Sequence, residues 1–223
     1  MPLDLPKPII YLITSGATTK ATTPETEDFG RILALVEASV AAQIPLLQLR
    51  EKQLSTRVLY QLATEAVRIT RGTQTRLLVN DRADIARAAG ADGVHVTTRS
   101  LPAGVTRGTY GSEFLIGVST HSLEEAYGAC MQGANFAVFG PVFETESKLG
   151  FGDPQGLEKL RAVATELKDF PILAIGGVSL DNVSDCFKAG AAGIAAIGLF
   201  NHGDNLQTNV SEIRGIFRRL SES

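Results

Sequence analysis

Eight short apolar runs, separated mostly by helix-period patterns, are the feature that most constrains this chain. They read PIIYLIT (8–14), PLLQLR (45–50), RLLVN (76–80), GVHVT (93–97), LIGVST (115–120), FAVFG (136–140), PILAIGG (171–177) and GIAAIGLF (193–200). Their near-continuous hydrophobicity suits strands covered on both faces, as in a parallel sheet. Between them, Ile32, Leu35, Val36, Ser39 and Val40 form one helical stripe. Leu59, Leu62, Ala63, Ala66 and Ile69 form a second, which Ser55 can cap. Further helices are expected over Leu123 to Met131, Leu157 to Leu167 and Leu180 to Ala189, and along a terminal stripe of Val210, Ile213, Phe217 and Leu220. The segments after the third and fourth runs leave room only for short helices. Gly90, Gly133 and Gly190, each followed by Ala just before the next run, are expected as left-handed helix stops. Strand–helix alternation repeated eight times predicts a (β/α)8 TIM barrel, with an open doubly wound sheet as the competing α/β arrangement.

The 223 residues suffice for one such barrel, and no Pro/Ser-rich linker divides them, so residues 1–223 are read as a single domain. A net charge of −3 and the lack of any basic run argue against a nucleic-acid partner. No apolar stretch approaches the length of a membrane span, and the start MPLDLPKPIIYLIT does not resemble a signal peptide. Cys130 and Cys186 both fall in helix-like stretches and predict no disulfide framework. A cytoplasmic protein is expected, and a homo-oligomer is compatible with the sequence.

In a barrel of this kind chemistry sits at the C-terminal strand ends. After the second run, QLREK places Gln48, Arg50 and Lys52 on one face if the strand continues through them. Two cations and an amide converging there suit a phosphate or diphosphate, against the plainer reading that Arg50 pairs with Glu51. After the third run, Asn80 and Asp81 have the chemistry to hold a divalent cation or simply to cap the next helix. His95 lies within the fourth run and is read as a barrel-interior histidine. The long segment PVFETESKLGFGDPQG (141–156) is read as a lid over an anion, with Thr145, Ser147 and Lys148 as its polar groups. Gly176 and Gly177 after the seventh run, and Gly198 after the eighth, occupy the usual phosphate loops of such barrels. His202 follows in a polar stretch and is expected to be exposed.

The segment IGVSTHSLEEA (116–126) puts His121 at the joint between a buried strand and a helix. Ser122 can cap that helix, and Glu125 stands three residues on, where it completes a capping box.

Taken in order, QLREK, VNDRADIARAAGADGVHV, GVSTHSLEEA, GANFAVFGPVFETESK and PILAIGGVSLDNV…AGAAGIAAI resemble the thiamine phosphate synthase and TenI group of barrels. The resemblance runs from about the first strand through the eighth. For a synthase it implies the joining of an aminopyrimidine diphosphate to a thiazole phosphate with release of pyrophosphate. It would assign Gln48, Arg50, Lys52, Asn80 and Lys148 to the pyrimidine diphosphate and Asp81 to Mg²⁺. Ser119 would help hold the pyrimidine, Thr145 and Ser147 would meet the thiazole, and Gly177, Ile197 and Gly198 its phosphate.

One position departs from the synthase pattern. After GVH, synthases usually read Leu/Ile/Val-Gly-Gln-x-Asp, whose aspartate is a second Mg²⁺ ligand. Here Val96-Thr97-Thr98-Arg99-Ser100 occupies that stretch, so Ser100 replaces the carboxylate. The resemblance therefore favours the TenI branch, where a thiazole tautomerase aromatises a thiazole phosphate carboxylate without a cofactor. His121 matches the histidine assigned the proton transfer, and a neutral imidazole carries both a donor and an acceptor nitrogen. The synthase, with Mg²⁺, is the alternative. A non-catalytic sensor of thiamine precursors ranks third.

Overall fold

Apolar runs short enough to be strands, each followed by an amphipathic turn of helix, can bury both faces of a sheet in an open doubly wound layer or by closing it into a ring. The computed structural model describes residues 5–97, 99–145, 153–201 and 205–222, and in it that closure is complete. The strands are β1 (Ile9–Ile13), β2 (Leu46–Leu49), β3 (Arg76–Asn80), β4 (Gly93–Val96), β5 (Leu115–Thr120), β6 (Phe136–Phe139), β7 (Ile172–Ala174) and β8 (Gly193–Ala196). Each pairs in parallel with the next, and β1 closes on β8 through Ile9 opposite Gly193 and Leu12 opposite Ala196.

The connecting helices are α1 (Glu27–Ala41), α2 (Thr56–Thr70), α3 (Ala83–Ala89), α4 (Ala103–Tyr110), α5 (Leu123–Met131), α6 (Gly156–Glu166) and α7 (Val183–Lys188). A single turn, α8 (Gly198–Asn201), and the terminal α9 (Leu206–Ser221) follow β8. Ser55 caps α2 as expected, its Oγ accepting from Val58 N at 3.3 Å. Gly90, Gly133 and Gly190 all take positive φ at helix ends. α7 starts three residues later than its apolar pattern suggests, because Asn182 folds the preceding segment into a turn. Its Oδ1 accepts from Ser179 N at 2.8 Å while its Nδ2 donates to Gly177 O at 2.9 Å. No helix among the described residues is long and apolar enough to cross a membrane.

Alternation along each strand divides the core in two. Residues such as Leu47, Leu49, Val79, Val94, Ile116 and Ala137 face the helices. Tyr11, Leu46, Leu78, Phe136, Val138 and Leu173 fill the barrel. Tyr11 and Phe136 meet edge to face at 5.4 Å between ring centroids, and the His95 ring lies 5.6 Å from Tyr11. Gly117 makes room for this packing: a Cβ there would sit 2.4 Å from Phe136 Cζ and 2.7 Å from His95 Nδ1. The barrel interior is thus a filled aromatic layer with polar groups set into it.

Those polar groups impose two energetic demands. His95 is buried, with Nε2 bonded to Ser119 Oγ at 2.9 Å, and Nδ1 has no partner among the described residues. Burial lowers its pKa to about 4, with Asp81 opposing and Arg50 reinforcing the shift. Glu51 is equally buried, and the start of the β1–α1 loop is wrapped around it. Its Oε1 accepts from Thr14 Oγ1 at 2.5 Å and Gly16 N at 3.3 Å, its Oε2 from Thr18 Oγ1 at 2.7 Å and Thr18 N at 3.4 Å. A buried carboxylate is tolerable only when saturated in this way.

Two outcomes follow for stability. Between pH 6.5 and about 4 the unfolded chain binds a proton at His95 that the folded chain does not, so the folded state weakens as pH falls through that window. The loss approaches its full size, on the order of 3 kcal/mol, near the lower limit. Urea unfolding at several pH values should show a shallower acid slope for His95→Gln than for the wild type, and identical slopes would refute the assignment. Glu51→Ala should cost about 3 kcal/mol at pH 7, because it strands four donors and releases the β1–α1 loop. A loss below about 1 kcal/mol in denaturant unfolding would show that the loop does not depend on the carboxylate.

Candidate functional site

The parallel ring sends every strand's C-terminal end to one mouth, bordered by residues of QLREK, VNDR, STHS and AIGG together with Thr97, Arg99 and Ser100. β2 ends at Leu49, so the expected shared face of Gln48, Arg50 and Lys52 is broken by a turn. Gln48 is buried inside the barrel, where its Nε2 has no partner among the described residues. Arg50 is half-buried on the rim. Its backbone N donates to Thr14 Oγ1 at 2.9 Å, and a Cβ at Gly16 would lie 3.5 Å from its guanidinium. The plainer expectation for Arg50, pairing with Glu51, does not hold. Glu51 is occupied by the β1–α1 loop, which leaves the guanidinium for other work.

Lys52 follows in the turn, exposed, yet in the field of its neighbours. Its pKa is lowered first by loss of hydration and next by the Arg50 charge; Asp81 pulls the other way and Arg99 adds a further lowering. Lys52 therefore lies in the field of two further cations and of one carboxylate at this sector of the mouth.

Asp81 sits directly after β3 with φ +57°, a left-handed conformation that aspartate tolerates better than most residues. Its backbone N donates to His95 O at 2.9 Å, which fixes the bend between β3 and β4. One carboxylate oxygen accepts from Asn80 Nδ2 at 2.8 Å and the other from the Ser100 hydroxyl. Ser100 Oγ in turn accepts from Thr97 N at 2.8 Å and lies 3.0 Å from Thr97 Oγ1. The position where the family pattern has a carboxylate is therefore a hydroxyl that donates to Asp81.

The chemistry of these donors decides how a divalent cation would fare. No group of three acidic, histidine or cysteine side chains forms a metal-binding set among the described residues. Asp81 is bonded at both oxygens, Glu51 is turned to the β1–α1 loop, and Asp84 is clasped by Arg82 at 2.6 Å. These residues do not fit a magnesium ion held between two protein carboxylates.

At β5, Ser119 faces inward to His95, and His121 stands half-buried at the mouth. Its ring Nδ1 lies against Gly140 O at the end of β6. A carbonyl only accepts, so Nδ1 is the donor of this contact, and in the neutral ring Nε2 is the acceptor. The capping box forms with one arm displaced: Glu125 N donates to Ser122 Oγ at 3.1 Å, while Glu125 Oε2 accepts from His121 N at 2.6 Å rather than from Ser122. Glu125 thereby holds the backbone of the histidine itself.

Beyond β6, Val142 N and Phe143 N donate to Ile175 O and Gly176 O at 2.8 and 3.0 Å, and Gln155 N donates to Pro141 O at 2.7 Å. These bonds clasp the two stems of the segment expected as a lid. Thr145 lies half-buried on the first stem, whereas Ser147 and Lys148 lie outside the described residues, as does His202. Gly176 and Gly177 have φ +93° and +65°, and a Cβ on either would strike Pro141 or Glu144 O at 2.5 and 2.3 Å. Their glycine identity is therefore demanded by the β6 loop folded over them. After β8, Ile197 is half-buried and Gly198 is exposed at the start of α8. Asn201 Nδ2 ties that turn back to Ile13 O at 2.8 Å.

Sequence reasoning missed Glu51, whose four bonds set the loop beside Arg50, and the serine bridge to Asp81. Glu51 carried a usable signal, since it alternates with Arg50 at a strand end opposite a threonine-rich segment. The serine bridge depends on the fold of the β4 turn and had none.

Comparison with known proteins gives the family. The family profile described as thiamine monophosphate synthase matches residues 17–200. A putative thiamine-phosphate synthase of Geobacter sulfurreducens is 46% identical over 166 residues, covering 74% of this chain and 78% of that one. A thiamine-phosphate synthase of Chloroflexus aurantiacus is 38% identical, covering 82% and 84%. Among solved structures, a thiamine phosphate pyrophosphorylase from Pyrococcus furiosus superposes with a TM-score of 0.78 at 29% identity, covering 95% of this chain and 96% of that one. These relatives carry the name of the condensing enzyme, the alternative of the sequence reading, and none of them that of the tautomerase. The chain belongs to the thiamine monophosphate synthase family.

Proposed function

We propose that this protein joins a hydroxymethylpyrimidine diphosphate to a thiazole phosphate and releases pyrophosphate. The observation that carries this reading is the excess of cations at the β2–β4 sector, where Lys52 lies in the field of Arg50 and Arg99 against the single Asp81 carboxylate. A single monophosphate seated at the β7 and β8 loops would leave that cluster without a partner. In a ring of eight strands β3 faces β7 and β4 faces β8, so the cationic sector and the glycine loops oppose each other. Two anionic substrates suit two such sectors.

In the reaction, the bond between the pyrimidine methylene carbon and the diphosphate oxygen breaks, and its electron pair leaves with pyrophosphate. The lone pair of the thiazole nitrogen forms the new carbon–nitrogen bond. Arg50 and Lys52 favour the step by stabilising charge that accumulates on the leaving group. Gln48, buried, and Ser119, half-buried, offer an amide and a hydroxyl to the pyrimidine ring from the floor of the mouth, with Asn80 above them. Thr145 and Ser147 would border the thiazole, Lys148 the pyrimidine diphosphate, and Gly176, Gly177, Ile197 and Gly198 the thiazole phosphate. Asp81, bonded by Asn80 and Ser100, moderates the repulsion at Lys52 by its charge.

Tautomerisation of a thiazole phosphate carboxylate is the second reading. It is favoured by one observation, the Nδ1 contact with Gly140 O that makes Nε2 the acceptor of the neutral His121 ring. The two separate experimentally. Incubated with both phosphorylated substrates, the wild type should release pyrophosphate and form thiamine phosphate in equal amounts. Arg50→Ala should lower kcat/KM for the pyrimidine diphosphate by about 100-fold. His121→Ala should retain most of the condensation. No thiamine phosphate, together with tautomerisation abolished in His121→Ala, would replace the condensation by the second reading.

A further inference from the structure

We propose that Arg99 is a diphosphate-binding residue of this site, its guanidinium taking the place that a carboxylate-held metal charge would otherwise fill at the β4 turn. The inference rests on the condensation reading above and concerns a residue that the sequence reading did not assign to any ligand.

Three observations lead to it. First, the β4 turn is locked against the mouth. Ser100 N donates to Thr97 O at 3.0 Å, Arg99 N to Thr97 Oγ1 at 3.3 Å, and the Ser100 hydroxyl to Asp81. The turn therefore presents position 99 at a fixed place beside Asp81. Second, Arg99, Ser100, Thr97 and Asp81 line one cavity of about 230 Å³, and Asp81 also lines the adjoining cavity with Lys52 and Asn80. Asp81 is thus the wall between the Arg99 side and the Lys52 side of one cleft. Third, the Arg99 side chain is exposed and makes no ion pair among the described residues. Other arginines nearby are committed: Arg82 clasps Asp84, and Arg107 binds the carbonyls of Gly111, Ser112, Phe114 and Gly133. Arg99 is close enough to Lys52 for their charges to repel, as Arg50 and Lys52 do. Mutually repelling cations are stabilised by a polyanion between them.

Charge bookkeeping at the turn supports the substitution. A divalent cation on one carboxylate would bring a net single positive charge there. Ser100 and Arg99 together bring the same charge with no ion. In the condensation Arg99 exchanges neither proton nor electron. The carbon–oxygen bond breaks with its pair going to the diphosphate, and the guanidinium binds the product oxygens as bidentate donor.

The test uses the full chain and inorganic pyrophosphate. Calorimetry in EDTA should show pyrophosphate binding to the wild type, weakened about tenfold or more in Arg99→Gln and partly restored in Arg99→Lys. Binding of the thiazole phosphate should be unchanged in both variants. Condensation by Ser100→Asp should depend on magnesium more steeply than condensation by the wild type. Equal pyrophosphate affinity for wild type and Arg99→Gln in EDTA would overturn the proposal even if thiamine phosphate is formed. Arg99-dependent pyrophosphate binding without any thiamine phosphate would instead refute the condensation and leave the anion site standing.

Discussion

Everything at the mouth depends on the pairing of β1 with β8. That ladder, running from Ile9 opposite Gly193 to Leu12 opposite Ala196, turns a parallel sheet with two edges into one with none. Closure brings the β3 and β4 ends across from the β7 and β8 ends, so that cations and glycine loops confront one another. The price is crowding at the seam, where a Cβ on Gly193 would lie 1.9 Å from Ile9 O. Only glycine permits that approach. Asn201 then repeats the closure one layer higher by bonding both Ile13 O and Ile197 O.

A closed barrel of this size must fill its interior with side chains, and this one fills it with groups that are not all apolar. Tyr11, His95 and Gln48 are all buried, and each has a polar atom without a partner among the described residues. Stability alone would disfavour such a floor, since each unpaired group retains its desolvation cost. A site that must grip a polar heterocycle gains from the same arrangement, because no internal bond has to break before a ligand bond forms. Burial holds His95 neutral, so this floor presents hydrogen-bonding groups without competing for the anions above it.

The barrel was legible because burial on both faces leaves a direct signature in the residues. RLLVN and LIGVST became β3 and β5 with unchanged limits, and α5 spans Leu123–Met131 as its stripe predicts. The limits that moved did so where side chains bond to backbone. β2 stops at Leu49 since Glu51 must turn inward to the β1–α1 loop, and α7 starts at Val183 since Asn182 closes a turn. Of the site, the candidates on strand ends were legible by position alone, while their partners were not. Nothing in HSLEEA distinguishes a Glu125 that returns to Ser122 from one that returns to His121, because both lie within reach of the same side chain. Similarly, the missing carboxylate at Ser100 was visible as a loss, but the hydrogen bond it makes instead requires the turn of Thr97 onto Ser100.

That bond changes what the substitution means. A serine simply deleting a metal ligand would leave Asp81 as a lone anion among cations, free to pair with whichever of Lys52 or Arg99 came nearest. Such a pair would spend the charge that a substrate needs. Here Asn80 and Ser100 occupy both carboxylate oxygens with neutral donors. Asp81 is thereby held off the cations by geometry, even as its field still moderates their repulsion. The cluster stays positive and stays apart, which is the state an incoming diphosphate requires. Ser100 and Arg99 are in this sense one device: the hydroxyl fixes the turn and satisfies the aspartate, and the guanidinium beside it supplies the charge.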